Sequence, residues 1–349
     1  MMAVLGRVRH AGALGWAGGL VQRLLNLVRV AIAVLLALTP VTAILVLGWL
    51  VRVMRREVII EVLRRGRKIG RKPALAAIAA SSEFTPYARF PGWWSGLWDT
   101  IRQGLMATVV VAALTLPFGL LMLVSWWAGW ENSFNKGYEQ AWVGPVLALF
   151  GALAAVAILT HAPMAFSAFA TEGRLAAAFE LRRIRRLMSA VRWRYLLLTV
   201  SSVILMAPLF LAQILPTFVE QINPKLAGAD AATIKAFANR WHLLATVYLV
   251  LVALVLRRWA ARLYARAVLT TGGGGSEFVN AVAGQFDIRL DNLEPPRRSR
   301  VGMVLSTVFV SAAWLGFLAM LYIAQFANHA WWSWVNHPLL ALPWIFRPM

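Results

Sequence analysis

Six stretches of the chain stay apolar for roughly the twenty residues an α-helix needs to cross a bilayer. They run over 27–51, 104–130, 143–170, 195–219, 241–256 and 302–327. In hydrocarbon no water satisfies the backbone, so each amide and carbonyl must find its partner within its own segment. The chain is therefore expected to be all-α, a polytopic transmembrane helical bundle of about six spans. The fifth stretch is the shortest, and it spans only if Arg257 and Arg258 snorkel to the surface. Pro40, Pro117, Pro163 and Pro208 fall inside these stretches and are expected to kink them.

Composition points the same way. The chain is 60% hydrophobic and 14% charged, where soluble domains run near half apolar and a quarter charged. The longer polar segments, 52–103 and 257–300, lack the apolar content for cores of their own. The expected organisation is one integral membrane domain, with a basic cytoplasmic or interfacial segment over 52–103 and a Trp-rich interfacial tail over 328–349.

The net charge of +21 could suggest nucleic acid, but the basic residues follow directly on the apolar stretches. There they set orientation and meet anionic lipid. With six spans, 26 of the 35 Lys and Arg residues fall on one side, in 52–103, 173–194 and 257–300. That side is expected to be cytoplasmic, which puts both termini on the periplasmic side of a bacterial inner membrane. Tryptophans mark both interfaces: Trp49, Trp93, Trp94, Trp98, Trp193 and Trp259 at the inner one, Trp126, Trp127, Trp130, Trp142, Trp241, Trp331, Trp332, Trp334 and Trp344 at the outer.

Two inner segments read as amphipathic helices lying in the headgroup plane. In 54–65, Met54, Val58 and Val62 form a stripe while Arg55, Arg56, Arg64 and Arg65 face elsewhere, and Glu61 to Arg65 is a favourable i, i+4 pair. In 174–188, Ala177, Leu181, Ile184 and Met188 form the stripe against Arg182, Arg183, Arg185 and Arg186. These eight arginines are the candidate lipid-binding residues. The small residues Gly144, Ala148, Gly151, Ala152 and Ala155 allow close helix approach and argue for a buried, central third span.

Little chemistry is signposted. The absence of cysteine removes thiolate sites and cysteine nucleophiles. None of the 14 acidic residues sits in the middle of a span, where proton-coupled carriers and pumps usually keep a carboxylate. His161 is the titratable group well inside a span, and it reads as a histidine bonded to a backbone carbonyl near a proline before it reads as a haem or pigment ligand. His10, His242, His329 and His337 lack acidic neighbours that would orient metal ligands. No catalytic residue, cofactor or metal is implied. Gly272 to Gly275 read as a flexible connector, and no Lys-Ser/Thr follows to make a phosphate-binding loop. The tail crowds Trp331, Trp332 and Trp334 into four positions, which suits an interfacial anchor or a docking patch for a partner subunit or a second copy.

The stretch 166–188 runs Phe-Ser-Ala-Phe-Ala-Thr-Glu-Gly-Arg-Leu-Ala-Ala-Ala-Phe-Glu-Leu and onward, between a Pro-containing span and another. It resembles a group of uncharacterised multi-span bacterial membrane proteins with a Gly-x-x-x-x-Ala-Phe element at that position. The resemblance covers about residues 95–270, leaves out the N-terminal span and the tail, and implies no catalytic residues. These readings give an expected function: a non-catalytic membrane subunit or scaffold that docks partners through its aromatic outer surface and anionic lipid through its basic inner face. A transporter or permease is the alternative.

Overall fold

The structure, a computed structural model, describes residues 2–87, 91–94, 96–126, 142–214, 226, 228–290 and 300–324. Among these residues all regular structure is helical. The helices are α1 (Met2–Ala37), α2 (Pro40–Gly66), α3 (Arg71–Ala80), α4 (Leu97–Trp126), α5 (Val143–Glu172), α6 (Leu181–Ala190), α7 (Arg192–Ile214), α8 (Ala231–Thr270), α9 (Glu277–Gln285) and α10 (Arg300–Ala324). Trp331, Trp332, Trp334 and the rest of the tail lie outside the described residues.

Four helices carry stretches long and apolar enough to cross a membrane: Leu20–Ala37, Leu97–Ser125, Val143–Glu172 and Ala231–Thr270. A fifth joins them if α6 and α7, bent by 101° at Val191, form one broken span. Val301–Gly316 of α10 is a shorter apolar helix. Large side chains such as Leu149, Phe150 and Leu153 stand more than half exposed on one face of α5. A row of that kind suits lipid rather than water. The chain is thus an all-helical protein compatible with a multi-pass membrane fold.

The proline at position 40 does more than kink. Thr39 is extended (φ −126°, ψ 148°) and its side chain accepts a hydrogen bond from the Thr42 amide, so α1 ends and a new helix starts with Pro40 in its first turn. A residue before proline is disfavoured in helical conformation, while proline suits the first helical turn. The expected span 27–51 is therefore two helices. Pro117, Pro163 and Pro208 stay inside α4, α5 and α7.

The main core gathers α2, the second half of α5, α6, α8 and α9. Val58, Ile59, Val62, Leu63, Phe169, Ile184, Leu187, Tyr264 and Val279 are buried there. The segment 54–65 is consequently the buried second half of a continuous α2, not a separate helix on a lipid surface. The small residues of α5 do meet a neighbour, since Gly151 abuts Leu121 and Met122 of α4. The burial of α5, however, concentrates in its second half, where every residue from Met164 to Thr171 is buried. Trp49 and Trp93 stack on each other with ring centroids 5.3 Å apart and donate to the Pro91 and Arg29 carbonyls. They belong to the core rather than to an interfacial girdle, whereas Trp94, Trp98 and Trp193 remain exposed.

Gly272, Gly273, Gly274 and Gly275 form a tight turn, not a flexible linker. All four have positive φ, between 50° and 91°. Side chains avoid that region because Cβ crowds the backbone. The Gly273 amide bonds to the Val268 carbonyl and the Ser276 amide to the Gly273 carbonyl, which turns the chain so that α9 packs against α2 and α5. A Cβ on Gly273 would overlap Asn280 Oδ1, whereas one on Gly272 meets open space. Gly273→Ala should therefore cost about 2–3 kcal/mol, and Gly272→Ala about 1 kcal/mol from backbone strain alone. Thermal unfolding of the two variants in mild detergent checks this, and equal effects would mean that the overlap is relieved freely.

Candidate functional site

The most unusual feature of the fold is a layer of buried carboxylates wrapped in arginine. Glu57 and Glu61 sit one turn apart on α2, and Arg258, Arg262 and Arg266 repeat at the same four-residue step on α8. Residues four apart share a helix face, so the two rows can zip together. Arg262 Nε lies 3.1 Å from Glu57 Oε2 and Arg266 Nε 2.7 Å from Glu61 Oε1. Both pairs are separated by 205 positions, so α2 and α8 run parallel here.

Glu57 is the centre. Its side chain is fully buried. Arg71, at the start of α3, clasps it with two hydrogen bonds of 2.9 and 2.6 Å. Arg258 approaches within 3.5 Å and Arg56 within 3.7 Å. Burial pushes the Glu57 carboxyl up, but the hydrogen bonds and charge of Arg71, with the charges of Arg262 and Arg258, outweigh it and hold the group down at about 2. Glu61, nearly as buried, accepts from Arg64, Arg65 and Arg266. An α8 of 40 residues is about 60 Å long at 1.5 Å per residue, about twice a bilayer's hydrocarbon thickness. Its Arg-rich end therefore extends past the apolar part, and the charged layer lies there.

A second hub joins α5, α6, α8 and α9. Glu172 ends α5 just before Gly173, whose left-handed conformation (φ 72°) caps the helix. Its carboxylate takes hydrogen bonds from Arg183 (2.8 Å), Ser276 (2.6 Å), Tyr264 (3.2 Å) and the Phe278 amide (3.4 Å). Ser276 also caps α9 through the Val279 amide. The glycine turn is what delivers Ser276 to this carboxylate.

The eight arginines expected at a lipid surface divide sharply. Arg182, Arg185 and Arg186 are exposed on α6. Arg183 turns inward to Glu172, Glu180 and Tyr264, so α6 does not present four arginines on one side. Its buried face is Ile184 and Leu187, while Leu181 is 49% exposed. The expected stripe assumed α-helical phase from Ala177 onward, but Leu175–Phe179 is a 3₁₀ turn and resets it. Arg56 is buried and donates to the Tyr87 carbonyl. Arg55 is half-buried, donates to the Ala170 carbonyl and lies over the Phe278 ring. Arg64 and Arg65 are about 40% exposed and tied to Glu61. The i, i+4 pairing of Glu61 with Arg65 is as the spacing implies.

His161 Nδ1 is 2.6 Å from the Ala157 carbonyl, and Arg185 Nε is 3.4 Å from Nε2. Both ring nitrogens are thus engaged. No group of three or more metal-binding side chains occurs among the described residues. Sequence reasoning missed Glu57, Glu172, Arg71, Arg262 and Arg266 as a set. The signal was present in the matched four-residue steps of Glu57/Glu61 and Arg258/Arg262/Arg266, though nothing local says that the two rows face each other.

Arg257 sits apart from this layer. It lies over the Phe166 ring with its guanidinium carbon 3.7 Å from the centroid. Arg257 is partly buried there, and a cation–π contact is worth about 0.5–2 kcal/mol according to how far it is desolvated.

Residues 31–218 match the family described as "Protein of unknown function (DUF4013)". The match takes in most of the N-terminal apolar stretch, which the resemblance above left out, and stops before residue 270. No curated protein and no solved structure matches the chain. With more than half its length inside the matched region, the chain belongs to the DUF4013 family.

Proposed function

We propose that this chain is a non-catalytic integral membrane subunit or scaffold that binds anionic lipid through its basic face and partner chains through its aromatic tail. The observation that carries the reading is charge imbalance at one end of the bundle. Seven guanidiniums, those of Arg56, Arg64, Arg65, Arg71, Arg258, Arg262 and Arg266, surround two carboxylates. Arg182, Arg185 and Arg186 add three exposed charges on α6. Such an excess beside apolar helices suits a leaflet of anionic headgroups. The commitment of Glu57, Glu61 and Glu172 to arginines supports a structural role for these acids rather than a catalytic one. In this reading six spans place the charged layer in the cytoplasm and both termini in the periplasm of a bacterial inner membrane.

The test uses full-length protein in mild detergent with phosphatidylglycerol, read by native mass spectrometry. Each surface charge is worth about 1 kcal/mol, so changing Arg182, Arg185 and Arg186 together to Gln should weaken lipid retention about a hundredfold. Unchanged retention would refute the lipid role. Truncation after Asn328 should release co-purifying partners or a second copy while the bundle still inserts, and an intact assembly would refute the docking role. The second reading, a transporter or permease, draws on an apolar cavity where six helices meet.

A further inference from the structure

The helices α2, α4, α5, α7, α8 and α10 enclose a partly open cavity of about 250 Å³. Its lining is apolar, with Leu114, Leu159, Met206 and Val252 among the walls, and Arg257 is the one charged side chain among its described lining residues. Thr115 and Ser202 also line it, but their hydroxyls donate to the Val111 and Leu198 carbonyls of their own helices. The polar contribution to the cavity is therefore a guanidinium.

That guanidinium is incompletely matched. Arg258, Arg262 and Arg266 of the same helix meet carboxylates. Arg257, one position off that row, meets the face of Phe166. Among the described residues no carboxylate or carbonyl accepts a hydrogen bond from it. A guanidinium lying over a ring keeps its N–H donors, which spread in its own plane and match a carboxylate fork. Arg257 is partly buried and lines the cavity, so an anion entering it can take the donors that the ring contact leaves unused. The cavity adds the rest of the specification. A space of roughly 150 Å³ admits benzene, so about 250 Å³ admits a stretch of one alkyl chain.

We propose that this cavity binds a single-chain anionic amphiphile of the fatty-acid type, its alkyl chain among the six helices and its carboxylate on Arg257. This goes beyond lipid contact at the basic face, because the ligand sits inside the bundle and is selected by one arginine. Trp314 lines the same cavity, so a brominated chain in the site should quench it.

The experiment takes delipidated full-length protein in a neutral detergent and titrates oleate, oleyl alcohol, 9,10-dibromostearate and a diacyl phosphatidylglycerol. Oleate should bind with a stoichiometry of one, and oleyl alcohol about tenfold or more weaker, for want of the charge-assisted pair. Dibromostearate should quench tryptophan fluorescence, and Trp314→Phe should remove most of that quenching. Arg257→Gln should lose oleate affinity about tenfold or more while melting, without amphiphile, at or above the wild-type temperature, because it removes a charge without a counter-ion. Changing Arg182, Arg185 and Arg186 should leave oleate binding intact, which separates this site from the basic face. Equal binding of oleate and oleyl alcohol, undiminished binding by Arg257→Gln, or quenching that survives in Trp314→Phe would each overturn the proposal. Phosphatidylglycerol quenching Trp314 through a brominated chain where dibromostearate does not would overturn the single-chain assignment. Were Arg257→Gln not to fold, the comparison of oleate with oleyl alcohol and the Trp314→Phe quenching decide on their own.

Discussion

Glu57→Gln is expected to destabilise the protein by about 3–5 kcal/mol, the range seen when one partner of a buried ion pair is removed. Glutamine has nearly the same shape, so the loss comes from charge. Four guanidiniums, those of Arg56, Arg71, Arg258 and Arg262, would then face one another around a neutral amide. Arg71, with 37% of its side chain exposed, can swing to solvent, but Arg56, at 7%, has little room to do so. The measurement is thermal or detergent-induced unfolding of wild type and variant in the same micelle. A loss below about 1 kcal/mol would mean that water or lipid anions already neutralise the layer, as they do for exposed pairs.

The same carboxylate fixes a pH dependence. Its folded value of about 2 lies below its ordinary 4.5, so the folded state holds it ionised where the unfolded chain would protonate it. Its contribution is fully present above about pH 4.5 and is lost as pH falls towards 2. At about 1.4 kcal/mol per pH unit, the interval corresponds to about 3 kcal/mol, in line with the expected effect of the substitution. Wild type should therefore lose more stability than Glu57→Gln between pH 5 and about pH 2. Curves that stay parallel through that range would show that Glu57 titrates alike in the folded and unfolded states.

Gly48→Val should be the most damaging change in the apolar part of the bundle. A Cβ on Gly48 would overlap the Thr100 carbonyl oxygen of α4, and one on Gly104 would overlap the Ile44 carbonyl oxygen of α2. Each helix thus lays a glycine on the other's backbone, a close approach that membrane helices use in place of a hydrophobic driving force. The obstructing atoms belong to backbone rather than to flexible side chains, so the helices must separate. One turn beyond, Arg52 donates to Thr100 Oγ1 of α4 (2.8 Å), and separation would pull this bond apart. A loss of about 3 kcal/mol or more is expected, at the upper end for overpacking. Gly48→Ala should show the same sign at smaller size. Cysteines placed at exposed positions on α2 and α4 would report the separation by cross-linking rate. A Gly48→Val protein with wild-type melting and cross-linking would mean that α2 and α4 do not cross at these glycines.

The sequence by itself determined the class of the protein and most of its apolar helices. A run such as 143–170 leaves the backbone no partner but itself in hydrocarbon, so helix follows from composition and length alone. Local contacts were equally readable: Glu61 with Arg65 needs only helical spacing, and His161 needs only a carbonyl one turn away. The break at Pro40 was half visible, since the proline was plain but the Thr39 cap that turns a kink into a new helix depends on backbone geometry.

Tertiary structure decided which charges face inward. Arg182, Arg183, Arg185 and Arg186 look alike along the chain, yet Arg183 alone is drawn to Glu172, because Leu175–Phe179 shifts the phase of α6 and the glycine turn brings Ser276 to the same carboxylate. Likewise Glu57 and Arg262 are 205 positions apart, and no periodicity within α2 or α8 tells either row that the other exists. Helix formation is satisfied within a segment, but pairing of charges is satisfied only between segments. The alignment of α2 with α8 therefore turns two ordinary basic stretches into one buried layer, and leaves Arg257, a single position off that row, facing an apolar cavity.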